Sequence, residues 1–160
     1  MRRTLLLLLL LAVAAAALVA TVGGSDRRGE QAGRVVRVVD GDTIHVALGG
    51  RRERVRYIGL DTPEVTGRDE CFGQAATAFN RRLVAGARVR LRTDAERRDR
   101  YGRLLAYVHL AADGRFVNAE IVRRGYARPL AIAPNVRHAR RFAALAREAR
   151  RARRGLWRAC

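Results

Sequence analysis

The sequence predicts a mainly β, α+β fold: a five-stranded barrel of the OB type with three helices, behind an N-terminal export segment. Three observations point there. Short stretches of β-branched residues are separated by Asp-Gly and Gly-Gly turns. A helical stretch falls between the third and fourth of these strands. A chain of this length, less its leader, keeps about 135 residues, enough for one core and too few for two ordinary domains.

The leader comes first. Arg2 and Arg3 precede an unbroken apolar run from Leu5 to Ala20, and small residues follow. This is the layout of a signal peptide over residues 1–24, with candidate cleavage after Ala17 or Gly24. Uncleaved, the same run approaches the length of a membrane anchor. Either way the globular part is expected outside the cytoplasm, secreted or in the cell envelope or periplasm. Ser25 to Gly33 (SDRRGEQAG) is polar and glycine-bearing, a linker by composition, and the domain is expected over 34–160.

Within that domain, Arg34–Asp40 (RVVRVVD) is the first strand and Thr43–Leu48 (TIHVAL) the second. Arg52–Leu60 is the third, completing a meander. Gln74–Val84 reads as a helix stopped at Gly86. Arg88–Arg92 (RVRLR) alternates as a half-buried strand, and Leu104–Leu110 (LLAYVHL) is the fifth. A short helix over Asn118–Arg124 ends at Gly125. The last helix spans Val136–Arg154, N-capped by Asn135, with Ala139, Phe142, Ala146 and Ala149 as its buried stripe.

Composition narrows the partners. Formal charge is +18, two units fewer without Arg2 and Arg3, and every one of the 33 basic residues is arginine. Such a surface suits a polyanion: nucleic acid, anionic lipid or an acidic glycan. Cys71 and the terminal Cys160 are the two cysteines. In an oxidising compartment an even count favours a disulfide over two free thiols.

The chemistry gathers in three clusters: VVDGDT ending at Thr43, RYIGLDTPE from Arg56 to Glu64, and ERRDRYGR from Glu96 to Arg103. Asp42, Asp61 and Glu64 stand in turns or at strand ends, while a hairpin turn alone accounts for Asp40. Carboxylates brought together repel unless a cation lies among them. His45, His109 and His138 are scattered, so oxygen donors point to a hard divalent ion, calcium or magnesium, with a backbone carbonyl near Thr62 as a further ligand. In a straight strand Arg56 and Asp61 would project to opposite faces about 17 Å apart. For both to address one ligand the chain must bend, and Gly59 is the natural place. Two aspartates on a cation, a spare carboxylate and two arginines suit attack of water on a phosphodiester.

These residues resemble the staphylococcal nuclease, or thermonuclease, family. DGDT, RYIGLDTPE, DRYGR, VNAEIVRRGYA and the closing GLW stand in that family's order, over roughly Gly33 to Trp157. The resemblance implies a calcium-dependent endonuclease acting on DNA and RNA and leaving 3′-phosphates. Asp42 and Asp61 are similar to the calcium carboxylates, and Thr62 to the residue lending its carbonyl. Glu64 resembles the general base, Arg56 and Arg103 the phosphate-binding arginines, and Asp40 a carboxylate supporting the metal ligands. Tyr101 resembles a tyrosine contacting a terminal phosphate, and Arg100 is placed beside it in substrate binding. The Cys71–Cys160 pair resembles one common in exported relatives. Leu130 and Ile132 fall nearest two base-seating tyrosines of the best-known member, which affects base preference more than hydrolysis.

No protein partner is implied, and the chain is expected to be a monomer meeting a membrane only through an uncleaved leader. The rival readings are a noncatalytic nucleic-acid-binding barrel, and a membrane-surface protein driven by the arginine-rich last helix. The second is disfavoured because that helix has few large apolar residues.

Overall fold

The computed structural model describes residues 30–65, 67 and 70–160. The signal or anchor segment over 1–24 and most of the expected linker lie outside the described residues. Among those described, no helix is long and apolar enough to cross a membrane.

Among the described residues seven strands and four helices follow in order: β1 Glu30–Val38, β2 Thr43–Leu48, β3 Arg51–Tyr57, β4 Leu60–Asp61, α1 Gly73–Val84, β5 Arg88–Arg92, β6 Leu104–Leu110, α2 Val117–Arg123, β7 Arg128–Pro129, α3 Ala139–Arg151 and α4 Leu156–Ala159, the last a short helix beyond the three expected. Five of the strands close a barrel in the order β1-β2-β3-β6-β5. β3 and β6 pair in parallel, and β5 closes back onto β1 antiparallel. This is the expected OB-type barrel. Its interior follows from alternation: Ile44 and Val46 of β2, Val55 of β3, Val89 and Leu91 of β5, and Ala106 and Val108 of β6 are all buried.

β6 is covered on both faces, as its near-continuous apolar run permits. Tyr107 points away from the barrel interior into a second, smaller cluster with Ile58, Ala119 and Phe142 of α3. Phe142 is fully buried there, so the largest apolar residue of the arginine-rich helix packs inward and none of it is offered to a bilayer.

Several boundaries differ from expectation, three of them with consequences for packing. Glu30–Gly33, placed in the linker by composition, belong to β1, where Glu30 lies opposite Arg92 and accepts ion pairs from Arg90 and Arg92. The last helix starts at Ala139 rather than Val136, and Asn135 does not cap it. Instead the Asn135 side chain spans to the backbone of Glu96, accepting from its N–H at 2.8 Å and donating to its carbonyl at 2.9 Å. The third strand divides: β3 stops at Tyr57, and after a turn at Ile58-Gly59 the chain forms β4, which pairs with β7.

That division is the predicted bend. Gly59 has φ +86°, and a Cβ there would lie 2.4 Å from the Phe142 ring. Both backbone conformation and packing therefore demand glycine. Buried Asn118 holds the turn, accepting from the Val108 N–H and donating to the Ile58 carbonyl at 3.0 Å. Gly59→Ala is expected to lower stability by about 2–3 kcal/mol through strain and overpacking and to displace Asp61, read as a lower denaturation midpoint together with reduced activity.

Cys71 and Cys160 form a disulfide with Cα atoms 6.0 Å apart, tying the C-terminal residue to the loop that precedes α1.

Candidate active site

Asp42 closes the β1–β2 hairpin. Its N–H donates to Asp40 Oδ1 at 3.0 Å, and its carbonyl accepts from the Tyr57 N–H. Asp40 is thus a support for Asp42, and its own carbonyl is held by buried Asn80 of α1. The Asp42 side chain is only 1% exposed. Burial at this level is tolerable because donors surround it. Thr43 Oγ1 and Arg56 Nη1 donate to Oδ1, while the Thr62 N–H and hydroxyl both donate to Oδ2 at 3.0 Å. Burial still pushes its pKa up to about 6, against the opposing pull of Arg56, and Asp40 adds to the rise.

Arg56 joins the two aspartates. Beside its bond to Asp42, Nη2 donates to Asp61 Oδ1 at 2.7 Å. The bend at Gly59 makes this possible. Burial opposes the charge on Arg56, but Asp42 and Asp61 outweigh it, and its pKa is raised. Asp61 lies at the outer edge, about half exposed. Thr62 spends its amide and hydroxyl on Asp42, so its carbonyl is the group left to serve a cation.

The residues fit a hard divalent ion: Asp42 and Asp61 converge on one cationic group, and the groups free to ligate, two carboxylates and the Thr62 carbonyl, are all oxygen. Among the described residues no cluster of three His, Cys, Asp or Glu side chains forms a metal cage. A cation here would keep coordination places for water and substrate.

Arg103 enters from the other side. It lies at the start of β6, which runs parallel to β3 with Arg56 opposite Leu105. A pocket of about 190 Å³ is lined by Arg56, Gly59, Asp99, Arg103, Leu130 and Ile132 among others. Asp99 holds Arg103 in place: Nε donates to Oδ2 at 2.6 Å, and the Arg103 and Tyr101 N–H groups both donate to Oδ1. Although partial burial opposes it, these donors hold the Asp99 carboxyl below its ordinary range. Tyr101 is 67% exposed. Its ring is faced by both Arg100 and Arg103, and its hydroxyl accepts from Arg100 at 2.6 Å.

The structure therefore brings Asp40, Asp42, Arg56, Asp61 and Thr62 into one hydrogen-bonded group, with Arg103 across the same pocket. Glu64 is set apart. It follows Asp61 on the exposed loop, where its N–H donates to Glu70 Oε2 and its carbonyl accepts from the Glu70 N–H. No described side chain pairs with its carboxylate. Asp99, Asn80 and Asn118 escaped the sequence reading, and Asn135 reads there as a helix cap rather than as the brace of the Glu96 backbone. The one available signal was the polar amide on the inward face of a helix at Asn80 and Asn118.

Comparison with known proteins agrees with this geometry. Residues 54–159 match the family described as staphylococcal nuclease homologue. Arg56, Asp61, Glu64 and Arg103 lie within the match, while Asp40 and Asp42 precede it. The chain is 34% identical over 137 residues to the thermonuclease of Staphylococcus hyicus, covering 84% of this chain and 80% of that protein. It is 38% identical over 136 residues to the thermonuclease of Staphylococcus intermedius, covering 83% and 79%. It is 36% identical over 126 residues to endonuclease YncB of Bacillus subtilis strain 168, covering 76% of this chain and 59% of that one. With barrel, arginine pair and bent β3 in place, the chain belongs to the staphylococcal nuclease family.

Proposed function

We propose that the chain is a calcium-dependent endonuclease that hydrolyses DNA and RNA and leaves 3′-phosphate ends. As a member of this family, with relatives named thermonuclease and endonuclease, it is a hydrolase of the endonuclease type. The observation that carries the finer reading is Arg56, whose guanidinium bridges Asp42 and Asp61 while lining one pocket with Arg103.

In that pocket the two guanidiniums seat the phosphodiester from opposite sides, offering paired N–H donors to its non-bridging oxygens. Their charge is worth most as negative charge builds on phosphorus. Asp42, Asp61 and the Thr62 carbonyl are the groups that would hold calcium, which when bound neutralises phosphate charge and lowers the pKa of water. Glu64, on its exposed loop, is the spare carboxylate that orients the water and takes its proton. Hydroxide adds to phosphorus, the bond to the 5′-oxygen breaks, and that oxygen takes a proton from solvent water as it leaves. Asp99 positions Arg103. Leu130 and Ile132 give the pocket an apolar wall for sugar or base without an aromatic face, so stacking contributes little to base preference.

Export fits the Cys71–Cys160 bond, which persists outside the reducing cytoplasm, and millimolar calcium outside the cell suits a site with few protein ligands.

End-group analysis tests the reading. A labelled oligonucleotide should be cut in calcium and left intact in chelator, and the new ends should resist extension until a phosphatase removes the 3′-phosphate. Ends extendable without phosphatase would reject the assigned bond. Arg103→Ala should slow cleavage by about 10²–10³-fold with little change in melting temperature, since Arg103 lies at a pocket wall rather than in the core.

A further inference from the structure

The outer wall of the barrel carries a second basic feature, away from the pocket. From Thr43↔Arg56 to Leu48↔Arg51 the β2–β3 register runs without a shift. Side chains alternate, so Arg52, Arg54 and Arg56 share one face of β3, opposite buried Val55. Across the sheet, His45 lies between Arg54 of β3 and Arg37 of β1. The next row sets Arg52 and Arg34 on either side of Ala47, and Arg34 lies directly opposite Arg88 of β5.

Like charges facing each other across a sheet are unfavourable, and none of Arg34, Arg37, Arg52, Arg54 and Arg88 has a carboxylate partner among the described residues. Some other arginines of the barrel are matched with acids: Arg92 with Glu30, Arg98 with Glu53, Arg103 with Asp99. The His45 imidazole reports the field of this wall, held below its ordinary pKa by burial and by Arg52, Arg37 and Arg54.

We propose that this wall is a phosphate track for the substrate strand, continuing from Arg56 past Arg54 and Arg52 of β3, with Arg37 of β1 beside them. The inference rests on the nuclease reading above and extends it from one phosphodiester to a polynucleotide. Successive arginines on one face of β3 recur about every 6.7 Å, a row of point contacts suited to the repeating charge of a single strand. Contacts of this kind are indifferent to sequence, weaken with salt, and favour long substrates over short ones. The outer faces of the second and third strands are also where OB barrels bind oligonucleotides.

The test compares the wild-type protein with two double variants. Arg37→Gln/Arg54→Gln removes two track charges, while Arg151→Gln/Arg153→Gln removes two exposed charges at the end of α3. Binding of a fluorescent single strand of about 20 nucleotides is read by anisotropy in chelator across a salt series. The track variant should bind about tenfold more weakly and flatten the slope of log affinity against log salt by about 0.7 per arginine. Its ratio of kcat/KM for long single strands to that for a dinucleotide should fall about as much.

Equal losses in the α3 variant would show a general charge effect and overturn the track. So would unchanged binding in the track variant, or a loss confined to phosphatidylglycerol vesicles, which would give the wall to a membrane. Binding is measured where nothing is cut. A protein that binds through the wall yet never cleaves would therefore contradict the nuclease reading alone.

Discussion

Arg56→Ala is expected to produce the largest combined loss in this protein, in activity and in stability together. Among the described residues, the guanidinium is the one group that touches both Asp42 and Asp61. Removing it takes away a donor to the phosphate, which costs about 10²–10³-fold in rate. It also leaves the Asp42 carboxylate, 1% exposed, without its counter-charge. Breaking a buried pair from one side costs about 3–5 kcal/mol. The bonds from Thr43 and Thr62 remain, so the lower end of that range is expected. Urea denaturation should show the destabilised fold, and calcium should recover part of it by giving Asp42 and Asp61 another cation. Arg56→Lys should restore most of the stability and little of the rate, because an ammonium supplies charge without the two-pronged geometry that reaches both carboxylates.

Glu64→Gln separates chemistry from folding. Glu64 is exposed and its carboxylate pairs with no described side chain, so the substitution should leave the unfolding free energy within about 0.5 kcal/mol of wild type. Loss of a general base should nevertheless slow cleavage by about 10²–10⁴-fold. The effect should appear in kcat, with oligonucleotide affinity unchanged or slightly improved as one negative charge leaves the phosphate's surroundings. A Glu64→Gln protein that cuts at the wild-type rate would remove Glu64 from the reaction and pass the base to another group.

The site was largely written in local stretches, and the reason is geometric. Asp42, Arg56, Asp61 and Thr62 come from a hairpin and one bent strand, so few tertiary unknowns separate their order in the chain from their meeting in space. The need for a bend followed from strand periodicity, and Gly59 was the residue able to make it. What stayed hidden depends on partners far along the chain. Asn135 sits just before a helix and has an N-cap's chemistry, yet its amide binds the Glu96 backbone across 39 residues. Asn118 gives no outward sign that it braces the Ile58-Gly59 turn. Glu30 reads as linker until Arg90 and Arg92 are brought opposite it. The double burial of β6 was invisible because periodicity cannot say what packs against a strand's outer face.

One measurement bears most directly on the claim that the two arginines and the aspartates form a single hydrolytic site. Wild-type and Arg56→Ala proteins are incubated with an end-labelled single strand, each in calcium and in chelator. Cleavage in the wild-type calcium sample, with the other three silent or slower by about two orders of magnitude, is the expected result. A wild-type protein that binds the strand but leaves it whole in calcium would instead make this barrel a noncatalytic nucleic-acid-binding module.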